Sequence, residues 1–172
     1  MASVTSKLAR LPSNRPLLAL GIAILACEVV GASGGVFTAM GLESWYPSLS
    51  KPALAPPNWV FAPVWTTLFA LMGVAVWLIW REVDGAQASA AKVALWVFAG
   101  HFVINLAWSA VFFGAQSLAG GFAVLILLWL AILATIWAFD RVDRRAALLL
   151  VPYLAWVTFA GYLNFAIWML NS

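Results

Sequence analysis

Long apolar runs make up most of the chain, and clusters of charged residues or prolines separate them. A helix that crosses a bilayer needs about 20 mostly apolar residues. Five runs reach that length, namely residues 16–41, 58–80, 91–113, 118–139 and 146–170. The connectors at 81–90, 114–117 and 140–145 are short, so neighbouring helices are expected to run antiparallel. The pattern predicts an all-α membrane protein, a compact bundle of five transmembrane helices forming one domain over residues 16–172, after a basic N-terminal segment at 1–15.

The composition excludes a water-soluble domain. Of the 172 residues 65% are hydrophobic and 9% are charged, which leaves too little polar surface to cover a soluble globule. The net charge of +3 is small and indicates no nucleic-acid partner. The 11 tryptophans exceed what packing in an aliphatic bundle requires, and this excess points to a function.

The positive charges predict the orientation of the bundle. With five spans, the N-terminal segment and the second and fourth connectors lie on one side, and cytoplasmic loops are enriched in Lys and Arg. That side carries eight basic residues against only Lys51 on the other: Lys7, Arg10, Arg15, Arg81, Lys92, Arg141, Arg144 and Arg145. We therefore expect a cytoplasmic N-terminus and a C-terminus on the outside.

The first external loop, residues 42–57, is long and rich in proline and aromatic residues. Its prolines at 47, 52, 56 and 57 fix backbone angles and exclude helix, while Trp45 and Tyr46 favour an interface or a groove. Two interpretations stay open. The loop is either an ordered lid over one end of the bundle or an interfacial aromatic belt with a rigid turn.

Glu28 and His101 lie in the interior of predicted spans, where an unpaired charge costs about 2.5–3.5 kcal/mol at the helix centre on insertion scales. Glu28 is midway along the first span and His101 is in the third, which runs in the same direction. Their depths differ by about 4.5 Å at 1.5 Å rise per residue. We hypothesise a hydrogen-bonded polar pair, either purely structural, which we favour, or part of a proton relay.

Aromatic and amide residues recur at helical spacing on three spans and fall near the end that carries the external loop. The stripes are Trp65, Phe69 and Met72 on the second span; His101, Asn105, Trp108 and Phe112, with Ser109 beside them, on the third; and Trp156, Ala160, Leu163 and Asn164 on the fifth. They predict either ordinary helix packing or a site for a large, planar, mostly apolar ligand. Five tryptophans gather there, Trp45, Trp59, Trp65, Trp108 and Trp156.

Conventional catalysis is disfavoured by what the chain carries. It has one histidine and one cysteine, so no protein-held zinc or di-iron site is expected and no metal is predicted. No phosphate-binding glycine motif or nucleophile set is credible with so few polar groups. Chemistry by a bound photoactive ligand together with tryptophan stays open.

Several motifs resemble those of the TspO/MBR family of tryptophan-rich sensory and translocator proteins. They are WYPSLSKP at 45–52, PPNWVFAPVW at 56–65, NLAWSAVFF at 105–113, PYLAW at 152–156 and FAGYLN at 159–164. The resemblance implies a five-helix membrane protein, commonly a homodimer, that binds porphyrins such as protoporphyrin IX and haem, and also sterols and other lipids. It implies a pocket of Tyr46, Pro56, Trp65, Phe69, Asn105, Trp108, Ser109, Trp156, Ala160, Leu163 and Asn164.

The resemblance also orders the functional hypotheses. The first is a membrane receptor or sensor that holds a porphyrin as ligand, with no resident cofactor, and reports tetrapyrrole or stress status. The second is a light- and oxygen-dependent porphyrin-degrading enzyme, for which Trp65 and Trp156 are the candidate reactive residues. The third is a porphyrin or lipid transporter. No basic residue follows Tyr153, which speaks against the family's sterol motif, and Glu28 and His101 are not part of the family pattern.

Overall fold

The structure, a computed structural model, describes residues 11–42 and 44–172, and five long helices account for most of them. They are α1 (Pro16–Leu42), α2 (Phe61–Trp80), α3 (Ala88–Ser109), α4 (Leu118–Asp140) and α5 (Val151–Leu170). With their flanking turns, all five are long and apolar enough to cross a membrane. The predicted all-α, five-helix architecture is confirmed. Most of the predicted basic segment, residues 1–10 with Lys7 and Arg10, lies outside the described residues.

The ends of the helices follow local chemistry. Pro16 opens α1, where its missing N–H is not needed. The Ser117 Oγ accepts a hydrogen bond of 3.1 Å from the Gly120 N–H and so caps the start of α4, as N-cap hydroxyls do. At the other end of the bundle, Asp143 accepts from the backbone N–H of Arg145 at 2.8 Å. That bond caps a short helix, Arg144–Leu149.

Two irregularities depart from the predicted spans. The fifth is divided at Leu150 into Arg144–Leu149 and Val151–Leu170, because Pro152 has no N–H to donate to the preceding turn. The third does not end as an α-helix but continues as a five-residue π-helix, Ala110–Gly114. A π segment carries an extra residue per turn and is frequent at functional sites.

Close approach between α1 and α2 depends on glycine. A Cβ added to Gly73 would overlap the Cα of Ile24, and one added to Gly31 would overlap the ring of Phe69. Near the end of α1, a Cβ on Gly41 would come within 3.0 Å of the Phe113 carbonyl oxygen. Small residues permit such contacts between membrane helices, where packing rather than the hydrophobic effect holds helices together.

The bundle has two distinguishable ends. The external loop and the α3–α4 turn lie at one, which we call the loop end. Arg81, Arg141 and Arg144 lie at the other, which we call the basic end. Most residues of the main buried cluster belong to α2–α5, among them the fully buried Met72, Leu128 and Ile132, and α1 contributes Cys27 to it.

Substitution of Gly73 by alanine should destabilise the fold by about 1–3 kcal/mol, the usual cost of overpacking, because the new Cβ meets α1 backbone that cannot rotate away. Gly21→Ala is the matched control, since its Cβ would meet no atom within 4 Å. Unfolding in detergent micelles measures both. Equal stability of the two variants would contradict the proposed contact.

Candidate functional site

A cavity of about 390 Å³ lies between α1, α2 and α3 in the half of the bundle nearest the loop end. It contains five of the predicted pocket residues: Trp65, Phe69, Asn105, Trp108 and Ser109. Part of each stripe on the second and third spans therefore faces a common space, whereas Met72, His101 and Phe112 do not line it. Its volume falls within the usual range for small-molecule sites, about 300–1,000 Å³.

The wall on α1 was missed by the sequence analysis. It consists almost entirely of small side chains: Gly31, Ala32, Gly34, Gly35, Thr38 and Ala39. Such residues carry no chemical signature, and the run GASGG at 31–35 was the one signal in the sequence for a helix face without bulk. The consequence is a space bounded on one side by backbone and on the other by rings.

The opposite wall is aromatic. Trp65 stacks on Phe69, with ring centroids 5.3 Å apart and planes inclined by 27°. Phe69 in turn meets the edge of Phe102 at 5.8 Å, and Trp65 meets Tyr153 of α5 at 6.1 Å. These contacts with neighbouring helices hold the indole and phenyl faces in place.

Asn105 supplies a polar group deep in the cavity wall. The side chain is only 4% exposed, and its Nδ2 donates a hydrogen bond of 2.9 Å to the Tyr153 hydroxyl. No described residue donates to its Oδ1. A buried amide with one satisfied arm keeps the other available to a ligand, since an unmade buried hydrogen bond is costly.

A second and much smaller cavity, about 30 Å³, lies under the external loop and between α3 and α5. It is lined by Tyr46, Trp108, Ala160, Leu163 and Asn164 of the predicted set. Phe61, Trp108 and Phe113 line both cavities and so form the partition between them. The predicted pocket is thus divided in two.

Two predicted residues line neither cavity. Trp156 contacts Phe61, with ring centroids 6.0 Å apart, and Pro56 is half-buried within the loop. Both arms of the Asn164 side-chain amide form hydrogen bonds within the bundle. Its Nδ2 donates to the Leu118 carbonyl at 2.8 Å, and its Oδ1 accepts from Trp108 Nε1 at 3.5 Å.

The external loop is fastened over the smaller cavity. Tyr46, 4% exposed, packs against Phe112 and Phe113 with centroids at 6.4 and 5.9 Å, and burial raises the pKa of its hydroxyl above the usual value. The Lys51 ammonium lies 4.8 Å from the centre of the Tyr46 ring.

Contrary to the expectation that the prolines exclude helix, a 3-10 turn forms at Tyr46–Ser48.

Asn171 anchors this loop to the end of α5. Its Oδ1 accepts from the Ser50 N–H at 2.9 Å, and its Nδ2 donates to the Ser50 carbonyl at 2.9 Å. The side-chain amide therefore pairs with the loop backbone through both of its arms. Residues 44–57 cover the smaller cavity and do not line the larger one.

The predicted hydrogen bond between Glu28 and His101 is wrong. Both ring nitrogens of His101 are buried without a hydrogen-bond partner in the part of the chain that the structure describes. The ring packs among Phe98 at 4.8 Å and Tyr153 at 5.7 Å, which turns it toward α5 rather than α1. Similar depth along two helices does not fix the direction in which side chains point.

Comparisons with known proteins agree with this architecture. Residues 23–169 match the model of the TspO/MBR family. The chain is 44% identical to Tryptophan-rich protein TspO of Chlorobaculum tepidum over 92% of its own length and 99% of that protein. It is 41% identical to the Homo sapiens Translocator protein over 74% of this chain and 75% of that one. For the Tryptophan-rich sensory protein of Cereibacter sphaeroides the identity is 37%, over 86% and 88% respectively.

The five apolar helices, with an aromatic-lined cavity among them, define a multi-pass integral membrane protein. The chain belongs to the TspO/MBR family.

Replacement of Tyr153 by phenylalanine should lower stability by about 1 kcal/mol, because it leaves the buried Asn105 amide without its partner. Tyr162→Phe, at an exposed position of the same helix, is the control. Unfolding in micelles gives the difference. If Asn105→Leu and Tyr153→Phe have strictly additive effects, the hydrogen bond makes no net contribution.

Proposed function

We propose that the protein is a membrane receptor or sensor that binds a porphyrin in the cavity between α1, α2 and α3. The observation that carries the proposal is the pairing of the Trp65–Phe69 stack with a wall of glycine and alanine on α1. A flat aromatic face opposite a side without bulk suits a planar ring system, which gains stacking contacts on one face. The names of two relatives, sensory protein and translocator protein, are consistent with a ligand-dependent role.

The polar groups suggest how such a ligand lies. A tetrapyrrole has an apolar rim and ionised carboxylates, and charge is expensive inside the bilayer. We expect the carboxylates to point to the loop end, where Asn58 is one of the lining residues and Lys51 lies on the loop.

Quenching of tryptophan fluorescence by protoporphyrin IX tests the proposal. Trp65→Ala should raise the Kd at least tenfold, about 1.4 kcal/mol, because it removes the stacking face. The control is Trp96→Ala, since Trp96 is 78% exposed and lines neither cavity. Equal affinity in both folded variants, or no saturable quenching by the unaltered protein, would contradict porphyrin binding at this site.

A second candidate function is light- and oxygen-dependent degradation of the bound porphyrin, favoured by the direct exposure of the Trp65 ring to the cavity. Trp156 does not line that cavity, although it contacts Phe61, which does. Of the two candidate reactive tryptophans, Trp65 is therefore the one placed to exchange an electron with a ligand.

Illumination of the porphyrin complex in air should give a new absorbing product, and Trp65→Phe should slow its formation at least fivefold. Trp156→Phe should retain most of the rate, since Trp156 does not line the cavity. Absorbance spectra, with dark samples as controls, follow the reaction. The enzymatic function is refuted if product forms equally fast in vesicles without protein.

Transport of porphyrins or lipids, homodimer formation and the cytoplasmic N-terminus stay predictions from the sequence. The small residues Ala99 and Gly100 are exposed on α3 and would allow a second copy to approach closely.

A further inference from the structure

The larger cavity has an open side between α1 and α2. Among its lining residues, Ala32, Gly35 and Ala39 of α1 are exposed on the surface of the bundle, as are Ala62 and Thr66 of α2. Their spacings of three and four residues place them along one edge of each helix. The two edges border a gap, which we call the α1–α2 slot.

The slot lies within the membrane-spanning part of the helices. Its deep end is closed where Phe69 packs on Gly31, and farther along Gly73 meets the backbone of Ile24. From Ala32 to Ala39 it extends for about 10 Å along α1, at 1.5 Å rise per residue. Because it lies between helices long and apolar enough to cross a membrane, we expect it to face acyl chains rather than water.

The loop is held in place and does not form part of the wall of this cavity. Residues 44–57 do not line this cavity, and the loop is held by the buried Tyr46 ring and by the two hydrogen bonds between Asn171 and Ser50. Entry from the aqueous side past the smaller cavity would also require movement of the partition formed by Phe61, Trp108 and Phe113.

The residues that border the slot suit the passage of an apolar ligand. The Thr38 hydroxyl is satisfied by the Gly34 carbonyl of its own helix at 3.4 Å, so a passing ligand strips no water from it. A Cβ on Gly34 would press on Leu106 and Ser109, whereas one on Gly35 would meet no atom within 4 Å. Gly35 therefore borders open space.

We propose that ligands enter and leave the larger cavity from the bilayer, through the α1–α2 slot, in the leaflet at the loop end. The ligand class is an amphiphile dissolved in the membrane, with a planar apolar body and a polar end that stays at the loop-end interface. This inference rests on the proposed porphyrin site and adds its route. The external loop stays closed during exchange.

The test is the dissociation rate of protoporphyrin IX from protein in lipid nanodiscs, followed by recovery of tryptophan fluorescence after addition of excess protein-free vesicles. Gly35→Phe should slow dissociation at least tenfold, because the ring obstructs the slot without displacing packed atoms. Gly21→Phe adds the same ring to α1 at another glycine with open space and should leave the rate unchanged.

The dissociation rate separates obstruction from occupation of the site. If the ring introduced by Gly35→Phe filled the cavity instead of the slot, it would leave the dissociation rate unchanged or raise it. Either result for this variant would contradict exchange through the α1–α2 slot. Asn171→Ala, which releases the loop, should change the rate less than twofold. A tenfold acceleration in that variant would assign the route to the loop instead.

The experiment distinguishes an error in the proposed entry route from an error in the proposed binding site. If the unaltered protein binds porphyrin saturably but Gly35→Phe dissociates at the normal rate, only the route is wrong. If the unaltered protein shows no saturable quenching, the binding site is refuted and the route with it.

Discussion

The arrangement of the bundle depends on how closely α1 can approach α2. At Gly73 the two helices meet backbone to backbone, and at Gly31 the Phe69 ring rests directly on α1. In hydrocarbon there is no water to drive helices together, so contacts this close supply much of the attraction. Beyond Gly31, toward the loop end, the larger cavity lies between the two helices. The same glycines thus hold α1 in place and set the floor of the site.

The architecture could be predicted from the sequence because bilayer thickness imposes a length on every span. Hydrophobic runs report that length directly, and the five helices lie where the runs are. The π-helix at Ala110–Gly114 and the break at Leu150 could not be predicted in the same way. Both preserve the apolar pattern while altering backbone hydrogen bonding, and hydropathy does not record hydrogen bonding.

The site was predictable only in part, for a geometric reason. Helical spacing identified the faces of Trp65, Asn105 and Trp108 correctly, since residues at intervals of three and four share a face. It did not show that Trp156 contacts Phe61 without lining the cavity, or that His101 points to Tyr153 rather than toward Glu28. Those relations depend on how one helix is rotated about its axis against the next. The α1 wall could not be predicted for a different reason. Its residues are mostly glycine and alanine, which carry no chemical group that would indicate a site.

The π-helix changes the direction in which the side chains after it point around the helix axis. An extra residue in one turn shifts the phase of everything that follows by about 100°, the angle per residue of an α-helix. Phe112 and Phe113 are consecutive yet both buried, and they meet the Trp45, Trp108 and Tyr46 rings from one side. Deletion of one residue other than Phe113 from the π segment would leave Phe61, Trp108 and Phe113 in the sequence but would disrupt the partition that they form between the two cavities.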